Sequence, residues 1–215
     1  MLFFNQKSLV RRVCGLMLAM TIGLFGTAAY SASKTVLVLG DSLSAEYGLA
    51  RGTGWVALLE ERLKQKRIDA AVINASISGE TTSGGKARLG SLLSKHHPDI
   101  VVIELGGNDA LRGLALDASE ANFRDMIAMS RAAKAKVLLV GMQIPPNYGR
   151  DYTEKFFSIY PKLAKESKSE LVPFLLDGVA DKPGLFQPDR IHLLAQAHPR
   201  ILDNVWPHLQ ILLSK

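Results

Sequence analysis

The chain has 215 residues, 47% of them hydrophobic, with 26 Lys and Arg against 20 Asp and Glu for a net charge of +6. That length fits one large domain, and so small a positive surplus, spread along the chain, excludes a basic patch for nucleic acid. Cys14 is the only cysteine, so no intrachain disulfide can hold the fold and a buried core must do so.

Residues 1–33 have the layout of a secretory signal peptide. Lys7, Arg11 and Arg12 form a basic start, "VCGLMLAMTIGLFGTAA" follows as an apolar run, and the small-residue stretch "AYSAS" offers cleavage after Ser31 or Ser33. The alternative is an uncleaved anchor, since the apolar run is near spanning length. Cleavage would carry Cys14 away and remove three positive charges and no acid. It leaves a domain over 34–215, no membrane span, and a periplasmic or secreted location.

From there apolar runs alternate with segments of helical spacing. "TVLVLG" (35–40), "AAVINAS" (70–76), "DIVVIELG" (99–106) and "KVLLVG" (136–141) are almost continuously apolar. Strands of that composition are buried on both faces, as in a parallel sheet covered by helices. "ELVPFLL" (170–176) is a weaker fifth strand, demoted to an edge by Pro173. Segment 54–67 places Trp55, Leu58, Leu59 and Leu63 on one stripe. Segments 120–135, 152–167 and 198–213 are also amphipathic, with Pro161 and Pro207 expected to disturb the last two. The pattern predicts one α/β domain with right-handed crossovers.

In such sheets ligands sit beyond the carboxyl ends of the strands, and the unusual residues of this chain cluster there. "GDSLS" follows the first strand, "ASISGETTSGG" the second, "GGNDALRG" the third, and "DRIH" lies in the segment after the fifth. Acyl transfer needs a nucleophile, a base, a group that orients the base, and donors for an oxyanion. Ser42, at an expected helix start, would be the nucleophile and His192 the base. Asp189, three residues earlier, would hold the other imidazole nitrogen. The backbone N–H groups of Gly79 and Ser42 and the side-chain amide of Asn108 would supply the donors. Each residue has an ordinary reading too: a cap for Ser42 or Asp189, a turn for Gly79 or Asn108. The order at successive strand exits favours chemistry.

"GDSLS", "NASISGETTSGG", "ELGGNDALRG" and "DRIH" resemble the four blocks of the GDSL, or SGNH, hydrolases. "GWVALLEERL", "QIPPNYGRDY", "YPKLAKE" and "DNVWPHL" extend the likeness, over 34–215, to that family's secreted bacterial thioesterase, protease and lysophospholipase group. The resemblance implies a flavodoxin-like three-layer αβα sandwich. It implies Ser42, Asp189 and His192 as catalytic residues and Gly79 and Asn108 as oxyanion donors, without cofactor or metal. It leaves Asp41 and Asp109 structural roles. The implied substrates are small acyl esters and thioesters, namely aryl esters, acyl-CoA and lysophospholipids, acted on by a monomer. A short-chain or carbohydrate acetyl esterase is the alternative on the same fold.

The family usually reads D-G-I-H-P where this chain has Arg190 and Leu193. The Arg190 guanidinium is expected either to keep Asp189 ionised and disfavour imidazolium at His192, or to point into solvent, where screening removes its effect. Leu193 is expected to loosen the base. A two-metal phosphoesterase is a poorer reading, because "GGND" lacks a histidine and no H-x-H occurs. A non-catalytic binding module is disfavoured by the complete set of Ser42, Asp189 and His192.

Overall fold

The structure, a computed structural model, describes residues 33–214. The signal peptide expected over 1–33, with Cys14, therefore lies outside the described residues except for Ser33. Five strands form one sheet: β1 (Lys34–Gly40), β2 (Ala70–Asn74), β3 (Ile100–Glu104), β4 (Lys136–Val140) and β5 (Glu170–Val172). All pair in parallel in the order β2-β1-β3-β4-β5. The central strands are buried on both faces, as their unbroken apolar runs require. β5 is shorter than its apolar run because Pro173 has no N–H to continue the ladder.

Among the described residues six helices cover the sheet: α1 (Trp55–Gln65), α2 (Thr82–His96), α3 (Gly107–Leu111), α4 (Leu116–Ala132), α5 (Arg150–Ser167) and α6 (His198–Ser214). α1 and α6 pack on each other over one face, and α2, α4 and α5 form the other layer. The result is a three-layer αβα sandwich. On α1 the buried stripe is Trp55, Val56, Leu59 and Leu63, with Leu58 only half-buried at its edge. Pro161 and Pro207 do not interrupt α5 and α6. Both sit on exposed faces, where the carbonyl each proline leaves unbonded can meet water. Among the described residues no helix is long and apolar enough to cross a membrane.

Two long-range contacts fix the helices beside the sheet's carboxyl edge. The backbone N–H of Trp55, at the start of α1, donates to Nδ1 of buried His198 at 3.0 Å. Burial pushes the His198 pKa down, which keeps the ring neutral and able to accept. At the start of α2, Asp109 accepts from the Thr82 N–H at 2.9 Å and from its hydroxyl at 2.5 Å.

Candidate active site

The segment after β1 reverses direction within a few residues. The Ala45 N–H reaches the Asp41 carbonyl at 2.9 Å and the Asp41 carboxylate accepts from the Leu43 N–H at 3.0 Å. No helix follows Ser42, contrary to the expectation from sequence. Glu46 and Gly48 take positive φ values of 59° and 71°, which ends any helical path after one turn. A helix dipole at Ser42 therefore plays no part. The loop is held from beneath instead. Glu104, at the end of β3, accepts from the Ser44 hydroxyl at 2.6 Å, and Trp55 Nε1 donates to that same hydroxyl at 3.1 Å.

Ser42 Oγ lies 2.9 Å from His192 Nε2, and His192 Nδ1 lies 2.7 Å from Asp189 Oδ2. The other carboxylate oxygen of Asp189 accepts from the N–H groups of Ile191 and His192, each at 3.0 Å. These bonds, the imidazole's first, hold the Asp189 pKa down at about 2. Arg190 contributes no ion pair: it bonds no carboxylate among the described residues. The expected electrostatic hold of Arg190 on Asp189 is replaced by the turn's own hydrogen bonds.

Arg190 has instead the left-handed conformation, φ 60°, at the corner of that turn, a conformation costing roughly 1–2 kcal/mol for a residue with a Cβ. Nor does Leu193 loosen the base. It is buried and bridged to Phe186, while the Gln187 N–H holds the His192 carbonyl at 2.7 Å. Gln187 Nε2 also donates to the carbonyls of Tyr47 and Leu193, at 2.9 and 3.0 Å. That bridge seats the Tyr47 ring against the His192 imidazole, their centroids 4.1 Å apart.

Asn108 sits in the first turn of α3, entered through Gly106 at φ 100°, where a Cβ would meet the buried Tyr160 hydroxyl at 2.6 Å. Its Nδ2 donates to Asp41 Oδ2 at 2.9 Å. Burial raises the Asp41 pKa to about 6 and pushes Glu104, packed beside it, well above the usual carboxylate range. Gly79 occupies a turn closed by the Glu80 N–H on the Ile77 carbonyl, with φ 77°. Its own carbonyl accepts from Arg112, at the end of α3, at 3.0 Å.

Ser42, Asn108 and His192 line one cavity of about 480 Å³. Leu111, Met142, Ile144, Phe174, Leu176 and Phe186 supply much of its apolar wall. Asp189 stands behind His192. Gly79 does not line this cavity and is joined to the Asn108 helix through Arg112. Sequence reasoning missed Glu104, Tyr47 and Gln187. Glu104 left one signal, a carboxylate closing an otherwise apolar strand. Tyr47 and Gln187 left none, because their contacts come from chain segments that meet only in the fold.

Residues 38–200 match the model of the GDSL-like lipase/acylhydrolase family. The chain is 51% identical to the esterase TesA of Pseudomonas aeruginosa over 85% of this chain and 91% of that one. It is 45% identical to thioesterase 1/protease 1/lysophospholipase L1 of Escherichia coli, covering 86% of this chain and 87% of that one. A crystal structure of a psychrotrophic Pseudoalteromonas esterase, EstA, inhibited by monoethylphosphonate, superposes with a TM-score of 0.81. The identity to it is 38%, over 85% of this chain and all of that one.

Proposed function

The chain belongs to the GDSL-like lipase/acylhydrolase family, and from that premise we propose that Ser42, His192 and Asp189 carry out its hydrolysis of esters and thioesters. The observation that carries this reading is the hydrogen-bonded relay from Ser42 through His192 to Asp189, opening on an apolar cavity. His192 takes the Ser42 proton as Oγ attacks the acyl carbon. Asp189 fixes the imidazole so that Nε2 faces the serine and offsets the imidazolium charge as it forms. Asn108 and the Ser42 N–H receive the oxyanion, and Gly79, off the cavity wall but joined to the Asn108 helix through Arg112, is the proposed third donor. Collapse of the tetrahedral intermediate expels the alcohol or thiol, protonated by His192, and leaves an acyl-serine. Water, deprotonated by the same imidazole, then releases the acid.

The apolar wall suits an acyl chain, so acyl-CoA, aryl esters and lysophospholipids are the proposed substrates. The relatives named thioesterase, lysophospholipase and arylesterase support that range. We further propose that residues 1–33 direct export and that 34–215 acts as a monomer in the periplasm or outside the cell. A fluorophosphonate probe tests the nucleophile: mass spectrometry should place one adduct on the peptide containing Ser42 and none in Ser42→Ala. An adduct elsewhere, or activity abolished by a chelator and restored by a divalent ion, would overturn the assignment.

A further inference from the structure

Arg190 is the one Lys or Arg among the residues lining the cavity. It has no ion-pair or hydrogen-bonded side-chain partner among the described residues, and the acids nearest it in the fold already accept other hydrogen bonds. Both carboxylate oxygens of Asp189 are occupied, by the imidazole and by two backbone N–H groups. Both oxygens of Asp41 are occupied as well, by Leu43 and Asn108. Arg190, exposed and without a side-chain partner among the described residues, therefore lines the cavity two residues from the proposed base, in a backbone conformation that favours glycine.

The site has two ends of different chemistry. Met142, Ile144, Phe174 and Leu176 present only apolar surface, which fits the acyl portion. The leaving oxygen or sulfur must come within reach of His192 Nε2 to collect its proton, on the side where 190–192 enter the wall. We infer that Arg190 is a specificity-determining residue that receives an anionic group carried by the leaving alcohol or thiol a few bonds from the scissile bond. Phosphate and carboxylate share this chemistry, since a guanidinium binds either through paired N–H donors. The inference rests on Ser42 and His192 having the roles proposed above.

The test compares matched esters. One pair is meta-carboxyphenyl butanoate and its neutral methyl ester, and the other is butanoyl glycerophosphate and monobutanoylglycerol. For each pair the ratio of kcat/KM, anionic over neutral, is measured at low salt in the wild type and in Arg190→Gln, Arg190→Gly and Arg190→Lys. The ratio should fall about three- to tenfold in the Gln and Gly variants, remain largely intact in Lys, and shrink in the wild type as salt rises. A fall with the phosphate pair alone identifies a phosphoester leaving group, and a fall with both identifies a general anion site. A ratio that is the same in all four proteins overturns the inference about Arg190. So does a loss confined to Arg190→Gly, which would trace the preference to the backbone. Failure of the wild type to cleave either neutral ester would instead sink the esterase reading on which it rests.

Discussion

Asn108 gives one of its two amide hydrogens to Asp41 across 2.9 Å, which fixes the direction of the other. Asp41 is buried and its second oxygen is held by Leu43, so the amide cannot rotate without breaking a bond inside the protein. In the oxyanion role proposed for it, an asparagine prepared in this way would meet the developing charge without reorganising.

Asn108→Ala should therefore lower kcat by about 10²–10³, as expected for one oxyanion donor lost. Asp41→Asn should produce a loss of similar size, although residue 41 would not itself touch the substrate. The new amide would put an N–H group against the Asn108 N–H and turn Asn108 over. Steady-state kinetics on an aryl ester measures both, and a near-normal kcat for Asp41→Asn would show that Asn108 holds its orientation unaided.

The same carboxylate has a pH signature. Its folded pKa is about 6, above the unfolded value near 4, so the native state binds more protons between the two. Stability contributed through Asp41 should fall as pH rises through that window and level off above it. Urea titrations at several pH values should show a smaller decline from pH 4 to 6 in Asp41→Asn than in the wild type. An equal decline would assign the slope to other groups.

Asp189 works in the opposite sense. Its folded pKa is near 2, so the stability it contributes is present above about pH 4 and is lost as pH falls toward 2. It stays ionised across the working range and should add no titration of its own to kcat/KM above about pH 4. An acidic limb left unchanged between pH 4 and 7 by removal of the Asp41 carboxyl, but altered by a change at Asp189 that keeps the charge, would contradict this. Asp189→Asn should lower kcat by about 10⁴, because a neutral amide no longer enforces the tautomer that faces Nε2 toward the serine.

Arg112 offers a way to test Gly79 without placing a Cβ in its turn. Arg112→Ala removes the donor that holds the Gly79 carbonyl and should lower kcat about tenfold with little change in KM, as for an imperfectly held oxyanion donor. Arg112→Lys should recover part of the loss. Unchanged kcat in both would place the third donor elsewhere.

Arg190→Gly should stabilise the domain by roughly 0.5–1 kcal/mol, the left-handed cost relieved minus the extra entropy glycine loses on folding. A thermal or urea melt measures it. A lower Tm would mean that the arginine stem packs more than the backbone strains.

Much of this was legible in the chain, because buried parallel strands write themselves as apolar runs and the D-x-x-H spacing fits one turn. The helix from Thr82 to His96 was less so. Its glycines weaken any stripe, and its start is fastened by Asp109 from 27 residues away. The loop after Ser42 misled for a related reason. Small residues there suit a helix start, but the left-handed turns at Glu46 and Gly48 accompany contacts made with Gln187 far along the chain. Arg190 misled differently: a charge beside a carboxylate suggested a pair, whereas the backbone corner satisfies the acid internally.

The bond between Ser42 and His192 spans 150 positions of the chain, and the one between Trp55 and His198 spans 143. A ribosome making this protein releases Ser42 well before His192, with α6 later still. No amino-terminal fragment can hold a working relay, however well its strands have paired. Hydrolysis through the proposed relay therefore waits on the segment that carries His192, and a chain that stops short of it cannot cleave esters by that route.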